Sequence, residues 1–168
     1  MDDYLVNLSF AGNLLKYLFR KLHFPWKNPY IYIFGKDCPK SRFDENIGDA
    51  VNTIWKKNAE DFEACYIELK KKGVKDKEAF SKYAMNAADS YFSKGYSPGS
   101  FLGYCAIVLG VATFYYEFPQ NGVPETSVEV IALVLFAHQL TGQFYKHDGW
   151  DGLTKTSLLF NAVQNKCQ

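Results

Sequence analysis

The chain has 168 residues, with 19 Lys and Arg against 18 Asp and Glu, for a net charge of +1. That length suits one domain, residues 1–168, with a sizeable core; the balanced charge excludes the basic surface that nucleic acid requires and the acidic tail of a chain seeking a basic partner. Aromatic residues make up 17%, including 14 Phe and 12 Tyr, a supply that fills cores and lines grooves for peptides.

The first periodic stretch is YLVNLSFAGNLLKYLFRKLHF, which sets Leu8, Leu15, Leu18, Phe19 and Leu22 mostly on one helical face beside Lys16, Arg20 and Lys21. It follows an acidic start, MDDY, without the basic region of a signal peptide, so the sequon at Asn7 predicts no glycan. A connection of about 25 residues follows, with three prolines and two glycines. Within it YIYIF has strand composition but no evident partner strand. A second helix is expected from Asp49 as N-cap through DAVNTIWKKNAEDFEACYIELKKKG, with Lys70, Lys71 and Lys72 at its C-terminal end before Gly73. DKEAFSKYAMNAADSYFSKG predicts a further amphipathic helix, Phe80, Ala84, Ala87 and Tyr91 inward and Gly95 ending it. The lysines at 70, 71, 72, 75 and 77 read as a solvated helix end and turn.

YSPGSFLGYCAIVLGVATFYY, residues 96–116, carries no charge. Ser97 and Pro98 fit an N-cap and first helical position, and Pro119 ends the run. About 20 residues of helix span roughly 30 Å, enough to cross a bilayer. Gly103, Gly110, Thr113 and the tyrosines dilute that apolarity, and no basic cluster flanks it. Both a membrane span and a central helix enclosed by others fit this pattern. A second apolar helix follows Pro124, and GWDGLTKTSLLFNAVQNKCQ gives one or two short helices and shows no hydrophobic tail anchor.

Catalytic and metal motifs are missing. Cys38, Cys65, Cys105 and Cys167 have neither C-x-x-C spacing nor a histidine at ligand distance in sequence, which points to a reducing compartment. His23, His138 and His147 are scattered, and Glu60, Asp61 and Glu63 read as a solvated helix face. No enzyme, cofactor or metal is expected.

The second helix carries a resemblance. AVNTIWKKNAEDFEACY places Trp55, Ala59, Glu60, Asp61 and Phe62, then Tyr66, in the order of the third homology motif (BH3) of the Bcl-2 family of apoptosis regulators. That family usually has Leu, Gly and Asp where this chain has Trp55, Ala59 and Glu60. FSKGYSPGSFLGYCAIVLG is similar to the first motif through Phe92, Gly95, Gly99, Phe101 and Leu102. FYKHDGWDGL resembles the second through Gly149, Trp150 and Asp151, and LLKYLFRKL the fourth through Lys16, Tyr17, Lys21 and Leu22.

The resemblance implies an all-α, Bcl-2-like bundle of about seven to eight helices around a buried central hydrophobic helix, residues 98–118, paired with a second helix over 125–147. It implies a surface groove receiving an amphipathic helix, the BH3 segment of a pro-apoptotic relative, either a BH3-only protein or a Bax- or Bak-like effector. Phe62, Tyr66 and Leu69 would line it from the second helix, and Ala88, Tyr91 and Phe92 from the next. Ser97, Gly99, Ser100, Phe101, Gly103 and Ile107 would come from the central one. Where the family has Asn-Trp-Gly-Arg, this chain has Ser97-Pro98-Gly99-Ser100. Losing that Arg, partner of the ligand's Asp, costs about 1–3 kcal/mol, roughly one to two decades of affinity. The expectation is a divergent pro-survival member of viral type, cytoplasmic or at the mitochondrial outer membrane. A membrane-permeabilising effector, and a groove used for self-association as a homodimer or for another partner, stand as alternatives, with peripheral membrane association open to either.

Overall fold

A computed structural model describes residues 2–30, 40–118 and 121–167, all helix and connection without a strand among them. Helix α1, Asp2–Lys21, buries Leu8, Phe10, Leu14, Leu15, Leu18 and Phe19 and exposes Lys16, Arg20 and Lys21, as its three-four spacing predicts. YIYIF, beyond Tyr30, and Cys38 lie outside the described residues.

The expected second helix is two helices. α2, Glu45–Lys57, starts four residues before Asp49, with Asp44 as N-cap accepting the Asn46 N–H at 2.7 Å. Asp49 lies exposed on its surface and accepts a hydrogen bond from the Tyr17 hydroxyl. At Asn58 the backbone leaves helical geometry (φ −116°, ψ 16°), and the side-chain amide donates to the Ile54 carbonyl at 2.8 Å. An asparagine that bonds its own backbone competes with the helix ladder, and that local capture ends α2. α3, Ala59–Lys71, then begins with Glu60 and Asp61 in its first turn, where negative charge suits the helix dipole.

α4, Lys77–Tyr91, is capped by Asp76, which accepts the Ala79 N–H at 2.9 Å. α5, Pro98–Thr113, opens as its sequence predicts, the Ser97 hydroxyl oxygen accepting the Ser100 N–H at 3.1 Å and Pro98 in the first turn. The last expected turn tightens into a 3₁₀ segment, Phe114–Glu117; Pro119 lies outside the described residues. α6, Val123–Leu140, stops short of the expected 147 because Gly142 takes φ +79°, a left-handed conformation open to glycine. A single turn, α7 (Gln143–Lys146), and one long helix, α8 (Gly149–Lys166), complete the chain. The end of the molecule is thus an 18-residue helix rather than short pieces.

α5 touches α1, α2, α3, α4, α6 and α8. Phe101, Leu102, Tyr104, Cys105, Val108 and Leu109 are all buried around its circumference, and each such side chain contributes about 1.5–3 kcal/mol on leaving water. That enclosure is the physical reason for an uncharged run. By length and composition, Pro98–Glu117 and Val123–Leu140 could each cross a membrane, and 67% and 61% of their apolar windows are buried inside the protein. α1 lies along α6, joined by a buried amide pair in which Asn7 donates to Gln139 at 2.8 Å and Gln139 donates back at 3.2 Å.

Candidate functional site

α3 and α4 both lie on α5, and the space between them, termed the cleft, is bounded by three helix faces; two apolar cavities among the described residues lie elsewhere, and neither is lined by Gly99, Gly103 or Ile107. Its floor is the stripe Gly99, Gly103 and Ile107, spaced four residues apart and so on one face of α5. A Cβ added at Gly99 would meet no atom within 4 Å, and Gly99 is exposed. At Gly103 the same atom would sit 3.1 Å from Tyr91 Cε1: the Tyr91 ring covers the floor there. Further along, Gly110 lies beneath Trp55 and Phe62, 2.9 Å from Nε1 and 3.1 Å from Cδ2 by the same construction.

The walls meet through a thiol–phenol contact. Cys65 Sγ on α3 and Tyr83 Oη on α4 share a hydrogen bond at 3.1 Å. Burial, then the Cys65 bond, push the Tyr83 hydroxyl far above its ordinary value, and burial followed by the Cys65 charge raises Tyr91. These two phenols, held neutral, add no charge to the middle of the cleft. Tyr104 Oη donates to the Ala84 carbonyl at 2.8 Å and anchors α4 to the floor helix. At the α3 end, Tyr66 stacks on Phe114 at 5.4 Å and meets Tyr115 edge-on at 4.9 Å.

The residues expected to line one groove divide among three places. Tyr91 lies over Gly103, with Gly99 and Ile107 on the same face of α5, while Tyr66 packs on Phe114 and Tyr115, and Phe62 and Leu69 are buried on α3; these three α3 residues follow the break at Asn58 and do not belong to α2. Ser97 and Ser100 stand half-buried beside Gly99, and Ser97 Oγ donates to Ser100 Oγ at 2.9 Å, leaving the Ser100 hydroxyl hydrogen to point elsewhere. Phe101 turns the other way, into the core against Phe10 and Tyr96. Ala88 and Phe92 face α6, where with Met85, Leu133, Ala137 and Leu140 they line a separate apolar cavity of about 470 Å³. Helical phase explains the split: Tyr83, Ala87 and Tyr91 share one face of α4, and Ala84, Ala88 and Phe92 the adjacent one. Cys65 and Tyr83 were missing from the expected lining, though Cys65 sits at three-four spacing from Phe62 and Leu69, and Tyr83 lies two turns before Tyr91.

Within the BH3-like segment, Trp55 and Phe62 point inward and Glu60 and Asp61 are exposed. The Trp55 Nε1 hydrogen is buried without an acceptor. Among the described residues no three His, Cys, Asp or Glu side chains gather at metal-binding distance. Scanned against protein-family models, curated proteins and solved structures, the chain matches none.

Proposed function

We propose that the chain is a Bcl-2-like survival factor that captures the BH3 helix of pro-apoptotic relatives in the cleft between α3 and α4. The observation that carries this reading is the glycine floor. Gly99 and Gly103 leave one face of an otherwise enclosed helix without side chains, and at Gly99 the space above is open. A ligand helix can approach such a floor to backbone contact, with apolar anchors at three-four spacing seated against Tyr66 and Ile107. The four sequence motifs and their order along an all-helical bundle with a buried centre support the same reading.

Three features shape the binding. The ligand must turn Tyr91 off Gly103 and part the Cys65–Tyr83 contact that joins the walls, and it finds at Ser100 one hydroxyl donor in place of a guanidinium. Affinity therefore falls below that of an Arg-bearing groove, and selection among ligands sharpens. The inward side chains of the chain's own BH3-like segment favour a receptor over a killer, which must expose that segment. A membrane-permeabilising effector remains the second reading, favoured by the two helices long and apolar enough to cross a bilayer.

Calorimetric titration with a panel of BH3 peptides tests the proposal. Saturable binding to at least one, lost by more than about tenfold in Gly99→Glu at unchanged helical content, is the expected result. Equal affinity for the wild type and Gly99→Glu would remove the cleft as the site. Leakage of liposomes on adding peptide would move the assignment to the effector.

A further inference from the structure

Beyond the cleft, the protein has a second concavity of different chemistry. A cavity of about 560 Å³ opens where the end of α3, the turn before α4 and the segment after α5 meet, a volume within the roughly 300–1,000 Å³ typical of small-molecule sites. Its walls are Tyr66, Tyr115, Phe118 and Val74, and Lys70 and Lys75 stand at its edge. These lysines belong to the run whose bland meaning is a solvated helix end. Their position against an aromatic slot gives them another.

The walls are held. Tyr115 Oη donates to the Val74 carbonyl at 2.9 Å, and Tyr66 is packed against Phe114 and Tyr115. The Lys70 ammonium lies 5.4 Å from the Tyr66 ring centre and 5.2 Å from that of Phe118. It stands over both rings, in the range where a cation and a ring attract. Phe118 keeps 51% of its surface exposed, with the lysine over its ring. The two other polar residues of the lining are already engaged. Asp76 caps α4 through the Ala79 N–H, and Asn121 donates to the Tyr115 carbonyl and accepts the Val123 N–H. Among the described residues the one ion pair joins Lys71 to Glu68, so Lys70 and Lys75 bring unpaired positive charge to the rim.

We infer that this cavity binds a small aromatic carboxylate, its ring between Tyr66, Tyr115 and Phe118 and its charge against Lys70 and Lys75. An aromatic body fits because the walls offer ring faces and edges at stacking distance. A carboxylate fits because Lys70 and Lys75 outnumber the one carboxylate of the lining, Asp76, which is bonded to the first turn of α4. The site stands apart from the helix-binding reading: it lies at the far end of α3 from Gly99 and shares with the cleft only Tyr66.

The test uses 2-naphthoate as probe, followed by amide chemical shifts of the intact protein. Saturable shifts centred on Tyr66, Lys70, Val74, Tyr115 and Phe118 are expected, with neutral 2-naphthamide binding about tenfold more weakly. Lys70→Gln weakens 2-naphthoate by a similar factor, and raising salt to about 0.3 M weakens it further in the wild type. Lys70 is exposed, so the variant keeps its thermal midpoint. Gly99→Glu leaves naphthoate binding unchanged, which separates this site from the cleft. Equal affinity for the acid and the amide, no change in Lys70→Gln, or shifts centred on Met85 and Leu133 would each overturn the assignment.

Discussion

Gly110 gives the sharpest test of how α2 and α3 seat on the central helix. In Gly110→Ala the new methyl lies 2.9 Å from Trp55 Nε1, nearer still to Cδ1, and 3.1 Å from Phe62 Cδ2. Two terms oppose. Alanine in a helix interior gains about 0.8–1.0 kcal/mol over glycine. Against it, a methyl forced into a packed interface costs about 1–3 kcal/mol, because the indole must retreat from contacts on both sides. The balance is a loss of about 1 kcal/mol, or a fall in Tm of about 2–4 °C for a chain of this size. Gly99→Ala is the matched control: it lies on the same helix and meets nothing within 4 Å, so its Tm holds or rises. Trp55→Phe completes a cycle, since the smaller ring leaves room for the methyl and removes a buried N–H that has no acceptor. Thermal unfolding by circular dichroism, read for each single variant and the double, should give a coupling above about 0.5 kcal/mol. If Gly110→Ala proves as stable as Gly99→Ala, or the cycle shows no coupling, Trp55 does not seat on α5 as described.

Other outcomes follow from the same geometry. Tyr91→Ala uncovers Gly103 and is expected to tighten BH3-peptide binding by about three- to tenfold, the worth of one aromatic contact the ligand no longer displaces; weaker binding would make Tyr91 a ligand contact instead of a cover. Of the three described cysteines, site-resolved alkylation of the native protein should label exposed Cys167 first and Cys65, half-covered and bonded to Tyr83, more slowly. Cys105, fully buried with its thiol raised well above the ordinary value by desolvation, should react only on unfolding, and early labelling there would show that the core around α5 opens. His138 packs against Phe92 at 4.5 Å and Tyr96 at 5.0 Å, and burial lowers its pKa from the ordinary 6.5. The unfolded chain therefore binds the proton more readily, and stability falls as pH drops below about 6.5. His138→Asn should flatten that part of the Tm–pH curve, and an unchanged slope would place the titration elsewhere.

Much of the fold was legible in the sequence because helix faces and caps are local. The three-four spacing of α1, the Ser97-Pro98 start of α5, and the amphipathic α4 each follow from residues within a turn or two. The uncharged run at 96–116 left open whether lipid or protein surrounds it, since both environments lack water; the packing of α1, α2, α3, α4, α6 and α8 around it is what encloses α5 in this structure. The break at Asn58 escaped the pattern because apolar periodicity continues across it, while the helix ends in the local backbone turn and side-chain bond of one asparagine. The lining of the cleft was legible in part. Spacing named which residues turn toward some neighbour, but a few tens of degrees of helical phase, set by tertiary packing, decided that Tyr91 covers Gly103 while Ala88 and Phe92 face α6. Likewise the lysines near position 70 were visible in the sequence, but their rings were not. Phe118 lies more than 40 residues away along the chain, and only the folding of α5 and the segment after it back against α3 brings its ring beneath that charge.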